Sequence, residues 1–494
     1  MMLKSNLKVT LMCCLGLMVL VEKAQAIPAF ARKYQTSCAT CHEAYPRLNG
    51  VGESFRLNGY RFTDDELYIK DEPVELGDEA YKRLWPQAIW PSDMPGLPPI
   101  SVTLDNEAIY DIGGTKAART DFNFPKRSKI MAAGALGDAM SAFVELGFTR
   151  QGAGASHHGG AATTEGTETE VEGWLQFEDL FGLENAFNFR IGSLGMHEMG
   201  LFTARSHNSF SPTGYLYSSW SMPSPGAHNI EDVVAGVTEH DGVSMTGNPY
   251  VVHAQPGVEL NGFNRSWRYA VGIVNGNAQN FNDNNNEKDV FFQIAHKIGG
   301  LGFDGSGTGE QGTLGGASNP WQDDSLTLSF FGYSGTSPVT VTAENDAADE
   351  DDDYSSTQAD RFWRAGPGAL WRTGDLQLGC GYVWGRNKNP FGVVSTGSVA
   401  SRSWFVEANY FAQPWIMPYA RYEVLTLDLP SAVTSTDEAS WAQGANQKRI
   451  VTGTKMLLRA NVSLGIEGIL YLKDSRESSY KNNSMVKVTA GIAF

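Results

Sequence analysis

From about Pro99 to the C-terminus the chain is a train of short segments in which apolar and polar residues alternate. That period of two restricts it to β-strands. The last segment puts Val486, Val488, Ala490, Ile492 and Phe494 on one face, with Lys487, Thr489, Gly491 and Ala493 on the other. The one before it sets Val462, Leu464, Ile466, Gly468, Leu470 and Leu472 against Ser463, Glu467 and Lys473. Earlier, Met140, Ala142, Val144, Leu146 and Phe148 alternate with Ser141, Phe143, Glu145 and Thr149. Each segment is about ten residues, the length a tilted membrane strand needs. Sixteen are predicted, near 100–111, 127–137, 139–150, 170–179, 186–196, 249–260, 265–275, 288–298, 325–336, 358–371, 375–387, 402–412, 417–428, 449–460, 462–474 and 484–494. The number is even, as a closed single-chain bacterial barrel requires.

The connections alternate short and long, with tight turns at Gly137-Asp138, Arg372–Asp375, Gln413–Trp415 and Ala460-Asn461. Long polar loops lie at Gly152–Thr169, His197–Gly247, Gly276–Lys288, Pro338–Thr357, Lys388–Ala400 and Pro430–Gln447. Short periplasmic turns and long external loops characterise an outer-membrane barrel. The Gly-rich 299–324 connection breaks that rule and reads as a possible miscounted hairpin. A soluble sandwich or propeller is the competing architecture. Aromatics near segment ends (Trp174, Trp267, Trp371, Trp384, Trp404 and Trp415) and the terminal Phe494 favour the barrel, since membrane-interface girdles collect such rings. The mean hydropathy of −0.27 does not oppose this, because lipid-facing residues alternate with polar lumen residues.

The N-terminus reads as a secretory signal. Lys4 and Lys8 precede an apolar Val9–Val21 run, and Ala24-Gln25-Ala26 forms the cleavage site, so residues 1–26 are expected to be removed. Cys38, Cys41 and Cys380 then remain, and the formal charge of −17 becomes −19 without Lys4, Lys8, Lys23 and Glu22. Such acidity excludes nucleic acid as a natural partner and suits cations.

Residues 27–98 differ in kind. They lack the alternation and contain Cys38-Ala39-Thr40-Cys41-His42, a C-x-x-C-H motif for covalent attachment of one haem c. The two thiols would form thioethers and His42 would be an axial iron ligand. A Cys38–Cys41 disulfide is one alternative; zinc is another, but no further Cys or His pair completes such a site. A short helix is predicted over Pro46–Asn58, with Leu48, Val51, Phe55 and Leu57 as an apolar stripe against the haem, and a further helical turn at Ala80–Leu84. The fold class is therefore an all-β transmembrane barrel of about 16 antiparallel strands (99–494) with a small, mainly α N-terminal c-type haem domain (27–98). With an even number of strands both barrel ends are periplasmic, so that domain can enter the lumen from below.

The stretch Ile27-Pro-Ala-Phe-Ala-Arg-Lys-Tyr-Gln-Thr-Ser-Cys-Ala-Thr-Cys-His-Glu-Ala-Tyr-Pro-Arg-Leu-Asn, continuing to Phe55-Arg56-Leu57-Asn58-Gly59-Tyr60, resembles the N-terminus of the fused monohaem cytochrome–porin family. The close resemblance covers roughly residues 27–60, and the barrel matches in pattern and length. The resemblance implies thioethers at Cys38 and Cys41, His42 as proximal ligand, and electron transfer between an extracellular donor and a periplasmic c-type cytochrome. Fe(II) is the leading donor, which would make the protein an oxidoreductase acting on ferrous iron by one-electron transfer.

The resemblance leaves the distal ligand open. Met94, 52 residues after His42, is the first candidate, and Met196, His197 and Met199 follow. Cys380 lies on an apolar face and is expected to meet lipid. The Glu344–Asp353 loop, with seven carboxylates in ten residues, and His157-His158 read first as solvated surface and second as Fe²⁺ contacts. Two other functions compete: an outward electron conduit, and a solute porin with an accessory periplasmic haem domain.

Overall fold

Alternation along each strand becomes an inside and an outside once the strands curl into a ring. The computed structural model describes residues 30, 40–44, 47–60, 100–112, 119–135, 139–151, 166–195, 242–246, 254–277, 283, 285–307, 323–344, 354–390, 397–413, 415–428, 447–459, 461–472 and 484–493. A small hairpin of β1 (His42–Ala44) and β2 (Arg47–Leu48) precedes helix α1 (Gly50–Leu57). The ring starts with β3 (Ile100–Asp111), β4 (Thr120–Ala135), β5 (Met140–Gln151), β6 (Gly166–Phe177) and β7 (Asn188–Gly195). After β8 (Gly242–Thr246) it resumes with β9 (Ala254–Phe263), β10 (Trp267–Val274), β11 (Asp289–Gly299), β12 (Ser325–Glu344) and β13 (Tyr354–Thr373). It ends with β14 (Leu376–Asn387), β15 (Val399–Tyr410), β16 (Ile416–Asp428), β17 (Gln447–Arg459), β18 (Val462–Tyr471) and β19 (Met485–Ala493).

Each ring strand pairs antiparallel with the next, β7 passes directly to β9, and β19 closes on β3 from Met485↔Asp111 to Ala493↔Thr103. Sixteen strands therefore form the closed barrel, at the positions the alternation predicts. β8 stands outside the ring. It pairs with the far end of β12 (Gly242↔Glu344 to Thr246↔Thr340), where β12 and β13 run past the barrel as a hairpin. These two strands, predicted to end at 336 and to begin at 358, extend to Glu344 and from Tyr354.

The wall is apolar outside and charged within. Val144, Val271, Ile273, Phe292, Ile294, Val406, Ile466 and Val488 are exposed, while Glu107, Glu145, Arg364, Glu407, Arg421 and Glu467 are buried. This reverses the arrangement of a water-soluble protein, and it is what lipid outside and a polar interior demand. No helix among the described residues is long and apolar enough to cross a membrane. Trp267, Trp371, Trp404 and Trp415 are exposed on the outer face, and so is Cys380. Trp174 departs from the predicted girdle: it points inward and is 7% exposed.

The irregular 299–324 connection is not a missed hairpin. β11 and β12 pair directly, from Val290↔Ser334 to Gly299↔Ser325. Its first part turns back under the barrel end, with Gly299 and Gly300 at φ +77° and +64°. Phe303, 1% exposed, packs with Phe263 and Ala295, and Leu57 of α1 rests on that cluster. The described first part of the connection, through residue 307, thus forms a shelf for the helix.

Candidate functional site

The site begins with the contacts that fix the backbone of Thr40 and Cys41 in the C-x-x-C-H motif. Asn49 N–H donates to the Cys41 carbonyl (3.0 Å), and Asn49 Nδ2 donates to the Thr40 carbonyl (2.9 Å). The same side chain caps α1, its Oδ1 accepting from Gly52 N–H (2.9 Å). Asn49 is fully buried, so one residue both clamps Cys41 and starts the helix. This corrects the predicted helix over 46–58: α1 begins at Gly50, because Arg47 and Leu48 pair with β1 and the cap falls on Asn49. The segment is accordingly a hairpin plus one helix across its described residues.

Gly52 is required by contact. A Cβ there would overlap the Cys41 carbonyl oxygen and press on Leu48 Cδ2 (2.9 Å). Gly52→Ala is expected to push the helix off the motif backbone. The check is limited proteolysis of the refolded protein, with cleavage in residues 40–60 far faster than in wild type.

The segment is seated at the short-turn end of the barrel and touches opposite walls. Arg47 pairs with Glu407 of β15 (3.3 Å), each 3% exposed at the side chain. Glu53 of α1 pairs with Arg268 of β10 (2.9 Å). The chain then reverses at Gly59 and Tyr60, both left-handed (φ +70° and +62°). A Cβ on Gly59 would overlap Glu178 and lie 2.9 Å from Ser141 Cβ, so glycine is needed for both space and angle. The Tyr60 ring stacks on Phe143 of β5 (5.9 Å) and Trp174 of β6 (6.2 Å), with Phe30 on it at 5.6 Å. Arg190 lies over Trp174 (4.3 Å). β15 stands halfway round the sixteen-strand ring from β6, so the contacts cross the diameter.

Carboxylates of this seat outside the strands are held ionised. Burial pushes Glu53 up, but Arg268, Lys297, Arg372 and Arg56 together bring it below the ordinary carboxylate value. Burial likewise opposes ionisation of Asp323, and Lys297 (2.8 Å) with Arg372 (3.7 Å) outweighs it. Both groups have a lower pKa folded than unfolded. Their stabilisation is therefore complete above the unfolded values of 4.5 and 3.8 and is lost as pH falls through the lower folded values. We expect the thermal midpoint of the seated segment to drop as pH falls from about 5 to 3, and to drop less in Glu53→Gln. An acid-independent midpoint would contradict this.

Of the predicted site residues, Cys41 and His42 are described and adjacent. Cys38, Met94, Met196, His197 and Met199 lie outside the described residues, as do His157-His158, Ala80–Leu84, Phe494, residues 1–26 and all of the acidic loop except Glu344. Phe55 and Leu57 of the predicted stripe pack on Phe30 and Tyr60 and on the Phe303 cluster respectively. The seat itself was missed in sequence. Its signal is Phe143 and Trp174, two large aromatics on the otherwise polar face of their strands.

The chemistry of the described donors, the Cys41 thiol and the neighbouring His42 imidazole, suits a haem c attached at the motif. Their backbone is held by Asn49 and closely approached by Gly52. Cys38, Cys41 and His42 would hold the group, which when bound supplies a one-electron iron centre. No group of three or more His, Cys, Asp or Glu among the described residues is arranged to hold a bare metal ion.

No protein-family model and no curated protein matches the sequence. Among solved structures, the chain is similar to in-vitro-folded trimeric OmpT, an outer membrane protein of Vibrio cholerae (10% identity, 80% of this chain and 98% of that one, TM-score 0.45). It is also similar to the outer membrane channel DcaP of Acinetobacter baumannii (13%, 80% and 96%, TM-score 0.43) and to Salmonella typhi OmpF in complex with daunomycin (11%, 80% and 97%, TM-score 0.45).

Proposed function

We propose that this chain is an outer-membrane electron-transfer protein, carrying one haem c on Cys38, Cys41 and His42 at the short-turn, periplasmic end of its barrel. The observation that carries the reading is the diametric seating of the motif segment, from Arg47–Glu407 on one wall to Tyr60 on Phe143 and Trp174 on the other. A segment across the bore obstructs a path for solutes. A one-electron centre placed there shortens the path through an insulating layer. The donor is an extracellular reductant, Fe(II) first among them, and the acceptor a periplasmic c-type cytochrome. Run in reverse, the same centre would serve an outward conduit, and the relative potentials decide between the two.

The test is anaerobic mixing of the purified oxidised protein with ferrous iron while the haem bands are followed. Conversion to the reduced spectrum is expected, and none at any pH would remove Fe(II) as donor. A second reading, a solute porin with an accessory haem segment, is favoured by the charged inner arc from β15 through β19 to β5, which suits water. Planar-bilayer recording separates the two: the conduit predicts small or absent conductance, the porin a large steady one.

A further inference from the structure

One feature of the charged arc goes beyond seating the segment. Arg47 pairs with Glu407 (3.3 Å), Glu407 with Arg421 (3.4 Å), Arg421 with Glu423, and Glu423 with Arg449 (2.6 Å). Signs alternate without a break over five residues, and all five are at most 7% exposed at the side chain. The run starts on the motif hairpin, where Arg47 follows His42 by five positions and pairs in β2 with β1. It crosses β15 and β16 through the register pairs Glu407↔Arg421 and Glu423↔Arg449. It ends near the long-loop end of β17. Tyr419, which donates to Glu467 (2.6 Å), and buried Lys455 flank it.

We infer that this ladder sets the redox poise of the motif, coupling it electrostatically to the outer mouth of the barrel. The inference rests on the haem reading above. Burying five charges is costly, and an apolar seat of equal volume would hold the hairpin as well or better. What an apolar seat cannot supply is a field. In a poorly screened interior, a cation near the centre favours its reduced state and an anion its oxidised state, more strongly the closer it lies. Arg47, Glu407, Arg421, Glu423 and Arg449 are positioning residues in this role and touch no reacting atom.

The test is spectroelectrochemical titration of the purified holoprotein in detergent. Arg47→Gln and Arg449→Gln should lower the midpoint potential, Arg47 by more. Glu407→Gln and Glu423→Gln should raise it, and Arg47→Lys should restore it. A purely structural ladder would shift every variant in the same direction, through loosening of the hairpin, or not at all, and either result overturns the inference. Should Arg421→Gln fail to fold, the Arg47 and Arg449 variants at the two ends still decide. Wild-type protein with no covalently bound haem is a distinct result: it removes the haem reading itself, and the ladder's redox role with it.

Discussion

Replacing His42 with alanine is expected to abolish the normal haem spectrum of the protein while the barrel still assembles. The ring is closed by sixteen strand pairings, and none includes His42, whose strand register is with Leu48 inside the β1–β2 hairpin. Loss of the imidazole would remove the axial ligand the motif supplies and leave the thioether thiols in place. The Cys38→Ala, Cys41→Ala double variant should go further, so that no haem stays with the chain on a denaturing gel. Absorbance of the purified protein, haem staining of that gel and the heat-dependent gel mobility of the folded barrel give the three readouts. A His42→Ala protein with an unchanged spectrum would reject His42 as ligand. A wild-type chain without haem stain would reject the cofactor altogether.

The second large effect is expected at Arg421. Its guanidinium is fully buried between Glu407 and Glu423. Arg421→Met would leave two carboxylates facing each other with one cation fewer, and breaking a buried pair from one side costs about 3–5 kcal/mol. Glu407 would keep Arg47 and the Asn409 amide (2.9 Å), and Glu423 would keep Arg449, which limits the loss to this range. Arg421→Lys should be less damaged than Arg421→Met, because it keeps a cation between the two carboxylates. Urea unfolding of the barrel in detergent micelles, followed by tryptophan fluorescence, measures both. A single variant within about 0.5 kcal/mol of wild type would show that the ladder contributes nothing net.

The barrel was legible because a membrane imposes a simple rule on every strand: one face must be apolar over about ten residues. That rule located all sixteen ring strands. It failed beyond the ring, at the outer ends of β12 and β13 and at β8, where Gly242–Thr246 alternates but at five residues is half the length a membrane strand needs. The motif was legible because C-x-x-C-H is chemistry written in adjacent residues. The seat was not, because Arg47 and Glu407 lie 360 positions apart and nothing in either neighbourhood announces the other. Trp174 shows the same limit from the opposite side. A tryptophan near a strand end reads as a lipid-interface residue until the ring shows which way it points. The helix start was misplaced for a local reason: Pro46 suits a first turn, but Asn49 has the capping side chain and the paired hairpin claims Arg47 and Leu48 first.

The seam of the ring also bears on how such a molecule is put together. The first and last strands, β3 and β19, are the ones that join, and Lys487–Glu107 (3.6 Å) is the ion pair that spans them. Among the described residues, the grips of the motif segment on β5, β6, β10 and β15 and on the 299–307 connection lie away from that seam. Those strands can pair with their neighbours while the seam is still open. The segment, which precedes them all in the chain, can therefore be laid sideways into an unfinished trough. It need not be threaded through a completed bore, and the wall then shuts around its contents.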